Sequence, residues 1–206
     1  EKITFIYDHF SLANPKTLGA KLYECLKRYF ADLTLKEVKE AVKKAFIEYY
    51  AYLKKIENYG QKIIKEANEH SAEIIVLCGR PYHIDPIINH GIDRLIAGFG
   101  IYVISEDALH TDYDHSKLEV LNQWTYHSRL YSAAHYIKDK KNMDLVQLVS
   151  FGCGVDAITT DEIRAILEGH DKIYTQLKID EITNLGAVKI RLRSLLAALG
   201  KEKDHE

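Results

Sequence analysis

EIIVLCGRPYHIDPIINHGIDRLIAGFGIYVISEDAL, residues 73–109, reads as strand, polar loop, helix and strand. Ile74 to Leu77 is a short apolar run rich in β-branched residues, the pattern of a strand buried on both faces. The run stops at Gly79. Pro81 and Pro86 keep the loop out of helical geometry until Pro86 can open a helix, where its missing N–H costs nothing. Ile87, Ile88, Ile92, Leu95 and Ile96 then form an amphipathic stripe that ends at Gly98 or Gly100. A second apolar run, Ile101 to Ile104, follows at once. Two strands joined by one helix make a parallel βαβ unit. Its first loop, Gly79 to Asp85, falls at the carboxyl end of a strand, where open α/β sheets place ligands.

Working outward, Lys2 to Tyr7 alternates like a first strand, and Asn14-Pro15 opens a helix through Leu18, Leu22, Leu26 and Tyr29. Thr34 followed by Glu37 is a capping box. From there to about Asn68 the pattern is one long helix, dense in Lys, Glu, Ala and Tyr, interrupted only by Gly60. Its charges are a solvated face, as in a helical arm or connector. Beyond the βαβ unit, a helix from about Leu118 to Lys138 carries Trp124, Tyr126, His127, Arg129, Tyr131 and His135. Leu145 to Phe151 is a strand ending in Gly152-Cys153-Gly154-Val155-Asp156, with Thr159 or Thr160 capping the next helix. Lys172 to Ile179 is a further strand, and Thr183 or Asn184 starts a last helix running to Leu199. The fold class is therefore α/β: an open parallel sheet, flavodoxin-like or Rossmann-like, with an extended N-terminal helical segment. The expected division is 1–70 for the strand and helical segment, 71–200 for the α/β domain and 201–206 for a charged tail.

Composition narrows the function classes. The 206 residues hold 28 basic and 30 acidic side chains, so no strong field points to nucleic acid or an acidic membrane. No apolar run approaches the ~20 residues needed to cross a bilayer. Three separated cysteines make no disulfide framework and suit a reducing cytoplasm. Met143 is the sole methionine, which points to a piece excised from a longer protein.

A parallel sheet gathers four polar segments at one edge: GRPYHID, SEDALH, GCGVD and DEITN. In the first, Arg80, Tyr82, His83 and Asp85 either hold an anionic or nucleotide-like ligand or tie the loop to its neighbours. Glu106 in the second, and Asp180 and Glu181 in the fourth, are further ligand-binding candidates. Acid at the start of the last helix and Lys189, Arg191 and Arg193 at its end also suit the helix dipole alone. Cys153, between two glycines before a helix, suits a metal, an iron–sulfur cluster or a reactive thiol, although spacing alone favours a small buried residue in a tight strand-to-helix turn. Cys78 and Cys25 read as core residues, and His127 and His135 as packing or surface residues. With no C-x-x-C, the chain's own motifs do not assemble a cluster site. With neither a Walker A motif nor G-x-G-x-x-G, nucleotide hydrolysis has no local support. No catalytic residue is assigned.

GRPYHIDPIINHGI, SFGCGVDAITTDEI and LKIDEITNLGAVKIRLRSLLAAL together resemble the dehydratase-like portion of large CoA-substrate-specific enzyme activase proteins, relatives of 2-hydroxyacyl-CoA dehydratases and benzoyl-CoA reductases. The resemblance spans Glu73 to Leu199. It implies a domain of a cytoplasmic iron–sulfur protein serving ATP-driven, low-potential electron transfer to a bound substrate. In particular, it implies that Cys153 is a ligand of a [4Fe–4S] cluster in the intact protein, the other ligands lying outside this chain. The implied partners are other domains of the parent chain, including an ATP-dependent activase module, and a CoA-ester substrate. Two alternatives stand beside it: a non-catalytic scaffold or docking domain, and a small-ligand module for a CoA ester or nucleotide.

Overall fold

The structure, a computed structural model, describes residues 3–112, 114, 118–150, 153–179 and 185–200. Its centre is β1, Ile74–Cys78, all five residues of which are buried. The strand pairs in parallel with β2, Tyr102–Ser105, on one side and with β3, Met143–Val149, on the other. β4, Thr175–Lys178, pairs in parallel with β3, so the sheet order is β2-β1-β3-β4. The open, all-parallel α/β sheet is the one expected. Alternation sorts its side chains into two cores. Ile74, Val76, Cys78, Met143 and Leu145 face one core, shared with α4 (Thr125–Ile137), α5 (Gly154–Glu168) and the later turns of α2 (Leu35–Glu69). Ile75, Leu77, Val146, Leu148 and Leu177 face the other, shared with α3 (Ile92–Ala97) and α6 (Gly186–Ala198).

The chain divides into two compact units, Glu1–Lys55 and Ile56–Glu206. In the first, α1 spans Pro15–Leu26 and buries Leu18 and Cys25. The capping box at the start of α2 forms as expected. The Thr34 backbone N–H donates to Glu37 Oε2 over 2.9 Å, and the Glu37 N–H donates to Thr34 Oγ1 over 3.2 Å. In the second unit Gly60 does not interrupt α2. A Cβ there would overlap the Ala108 carbonyl, so the missing side chain lets the segment after β2 lie directly against the helix.

Four local expectations are corrected. Ile3 to Tyr7 form no strand, and Ile3 and Phe5 are 93 % and 81 % exposed. Alternation alone does not make a strand, because a strand needs a ladder partner for its backbone. The helix after the first loop starts at Ile92, not Pro86. Asp85 Oδ1 accepts the Ile87 N–H and Asn89 Oδ1 accepts the Gly91 N–H, both over 2.8 Å; these side-chain turns compete with helix formation. His90 and Gly91 then take left-handed φ of 55° and 77°. Ile87, left out of the stripe, is largely exposed. α4 begins at Thr125 rather than near Leu118. α5 begins at Gly154, and Thr159 and Thr160 are buried inside it rather than capping it. Thr159 Oγ1 donates back to the Val155 carbonyl over 2.8 Å.

Candidate functional site

Strand order 2-1-3-4 puts the crossover reversal between β1 and β3, and the residues following those two strands meet there. From the β1 side comes a single 3₁₀ turn, Pro81–Ile84, preceded by Arg80. From the β3 side come Ser150 and, at the start of α5, Cys153 and Asp156. Arg80 crosses between them. Its Nε donates to Asp156 Oδ1 over 3.2 Å, and its Nη2 stands 3.0 Å from Asp156 Oδ2 as an ion-pair contact without hydrogen-bond geometry.

The same guanidinium serves Cys153. The backbone N–H groups of Asp156 and Val155, and then the Arg80 side chain, hydrogen-bond its sulfur and pull the thiol below its usual value. The two amides belong to the first turn of α5, where four N–H groups lack helical partners, so a thiolate satisfies donors that would otherwise meet water. Cys153 is partly exposed, whereas Cys78 is buried beside Glu106 and its thiol is pushed well up, chiefly by burial.

His83 is buried, and burial lowers its basicity. Its Nδ1 accepts the Arg80 backbone N–H over 3.0 Å, which assigns the ring proton to Nε2. That nitrogen donates to Ser150 Oγ over 3.3 Å, and the Tyr82 hydroxyl meets the same oxygen at 3.2 Å. Gly79 is required here, since a Cβ would overlap the His83 ring.

α4 adds an imidazole and a guanidinium. His127 Nε2 stands 3.7 Å from Asp156 Oδ1; burial lowers the imidazole's pKa, and its buried Nδ1 has no hydrogen-bond partner among the described residues. Arg129 lies over the Tyr126 ring and places Nη2 3.9 Å from Glu106 Oε1. Glu106 is only 7 % exposed, and burial raises its pKa to about 7 against the opposing pull of Arg129 and of nearby backbone N–H groups.

The sequence candidates thus divide. Arg80 joins Cys153, while Tyr82 and His83 meet at Ser150; Glu106 lies at the end of β2. Asp85 spends its carboxylate on the Ile87 amide and is exposed. Asp180 and Glu181 lie outside the described residues. Asp156, His127, Ser150 and Arg129 were not singled out as site residues. Asp156 carried a usable signal, standing three residues after Cys153 in the first turn of a helix. His127 and Arg129 carried none, since only the packing of α4 brings them to the strand ends.

Arg80, His83 and Glu106 all belong to the N-terminal 109 residues, which match a family model described as CoA enzyme activase uncharacterised domain (DUF2229). The chain belongs to that family. The activase-domain match includes β1, the 79–91 loop and β2, and it ends before Cys153 and Asp156. No curated protein and no solved structure matches the chain. Among the described residues no helix is long and apolar enough to cross a membrane, and no group of three or more His, Cys, Asp or Glu residues is placed to hold a metal ion.

Proposed function

We propose that this activase-family domain presents Cys153 as a single thiolate ligand to an iron–sulfur centre of a 2-hydroxyacyl-CoA dehydratase type of protein. The observation that carries the reading is the Cys153 sulfur, held by the first turn of α5 and by Arg80 in a partly exposed position. Iron–sulfur ligation needs the deprotonated sulfur, and donors to a ligating sulfur tune the potential of the group it holds. The donor set fits one corner of a cluster. It does not fit a whole one, because Cys78 is locked in the sheet core and Cys25 lies in the other unit. The remaining ligands therefore come from elsewhere in the parent protein.

When bound, such a centre supplies one-electron transfer at low potential. This chain's own part is electrostatic. The first-turn amides of α5 and then Arg80 favour the thiolate over the thiol, Asp156 holds the guanidinium, and the His127 ring stands 3.7 Å from the Asp156 oxygen that Arg80 Nε meets. The partner this reading needs is an ATP-dependent activase module, and its substrate is a CoA ester.

The test is iron and sulfide content of the anaerobically purified parent protein, as wild type and as Cys153→Ser. Loss of iron or an altered cluster spectrum in the variant supports the reading. Unchanged iron, or none in either protein, sinks it. A second reading, a docking domain, draws on Ile47, Tyr49, Tyr50 and Tyr52 of α2, each more than half exposed. Under that reading charge substitutions at these positions, and not at Cys153, impair the parent protein.

A further inference from the structure

β2 is an outer strand of the sheet, hydrogen-bonded to β1 on one side and to no strand among the described residues on the other. The Tyr102 N–H donates to the Glu73 carbonyl over 2.9 Å, which fixes the alternation of the ladder. Tyr102 and Ile104 turn their backbone groups toward β1, so Ile101, Val103 and Ser105 turn their N–H groups away from the sheet. Among the described residues nothing hydrogen-bonds those three N–H groups. A groove of about 520 Å³ follows this edge, between Asp93, Arg94 and Ala97 of α3 and the chain from Gly100 to Val103.

An open edge is a template for another strand, and proteins that keep an edge bare guard it with a lysine, a proline or a bulge. β4, the other outer strand, carries Lys178. β2 reads Tyr-Val-Ile-Ser in unbroken register with β1 and has none of those guards. The charges beside it are one of each sign, Asp93 and Arg94, so an identical edge approaches without net repulsion. Set antiparallel about a two-fold axis at Val103, the edge matches itself. Val103 then meets Val103, and Tyr102 falls opposite Ile104, an aromatic and β-branched pairing that stabilises sheets.

We infer that β2 is a self-association edge: two copies of the chain pair β2 to β2, antiparallel, and join their sheets into one. The Val103 N–H of each copy donates to the Val103 carbonyl of the other, and the Ser105 N–H of each donates to the Ile101 carbonyl of the other. These reciprocal bonds satisfy the outward amides, and the second copy covers the groove beside them. The inference concerns β2 alone and stands whether or not Cys153 binds iron.

The test combines sedimentation with amide hydrogen exchange across a dilution series of the protein. At high concentration the mass is expected to be twice the 23.7 kDa of one chain, with the Val103 and Ser105 amides protected. On dilution both amides are expected to lose protection in step with the mass, while Tyr102 and Ile104, bonded to β1, keep theirs. Val103→Pro removes an N–H that β1 does not use, and proline is tolerated on an outer strand. It is expected to weaken the dimer about tenfold or more, the scale of the reciprocal bonds it deletes. Val103→Lys sets like charges opposite each other across the axis and is expected to do the same. Either variant counts as folded when Tyr102 and Ile104 stay protected. The inference is overturned by a monomer at every concentration, by a dimer whose Val103 and Ser105 amides exchange freely, by protection that ignores dilution, or by folded variants that dimerise as tightly as the wild type.

Discussion

Glu106→Gln should remove a pH dependence that the wild type carries. A carboxyl at the end of β2 is buried down to 7 % exposure, and its pKa rises from 4.5 to about 7. The folded state therefore holds its proton more tightly than the unfolded state. The stability Glu106 allows is fully present below about pH 4.5 and is lost as pH rises through about 7. Each pK unit corresponds to about 1.4 kcal/mol, so between pH 5 and pH 8 the wild type should lose roughly 2 to 3 kcal/mol through this group. Glutamine mimics the protonated form and has nothing to ionise, so the variant should lack that loss. Urea unfolding followed through Trp124, the only tryptophan, reads the difference. With a slope of roughly 2 to 3 kcal/mol/M, the wild-type midpoint should fall by about 1 M more than the variant's over that interval. Parallel pH dependence in the two proteins would refute the reasoning, because it would place the Glu106 carboxyl in water or in a much tighter pairing with Arg129.

Three further outcomes follow from the same geometry. Arg129→Met removes the cation nearest the Glu106 carboxyl and should raise its pKa further, visible as an unfolding midpoint that falls with pH at higher pH than in the wild type. Lys172→Met removes the cation paired at 3.2 Å with the buried Asp144 carboxylate; thermal or urea unfolding should show a loss of roughly 3 kcal/mol, partly recovered by adding Asp144→Leu. Gly60→Ala forces a methyl into the Ala108 carbonyl and should cost about 1–3 kcal/mol although alanine is the better helix former, whereas helix propensity alone predicts a gain.

The βαβ unit was legible because Ile74–Leu77 and Ile101–Ile104 are apolar on both faces, and only burial between two helical layers explains such runs. Thr34 and Glu37 announced their cap because a capping box is complete within four residues. The errors fall where short-range and long-range forces compete. Asp85 and Asn89 capture nearby amides and delay α3 by two side-chain turns that a stripe of isoleucines does not reveal. Ile3 to Tyr7 had the alternation of a strand but no ladder to join. The site was half visible. Arg80 and Cys153 stand out by local context, while the partnership of Arg80 with Asp156 spans 76 positions and exists only once β1 and β3 are neighbours. No spacing rule along the chain encodes it.

The account rests on α5 and Arg80 making the Cys153 thiol more acidic than a free one, and its titration tests that most directly. Cys25 and Cys78 are 2 % and 1 % exposed, so the alkylation rate of the folded protein reports Cys153. The rate should rise with a midpoint below the ~8.5 of a free cysteine, and Arg80→Met should move that midpoint upward. A midpoint at or above the free value, or one indifferent to Arg80, would contradict the account.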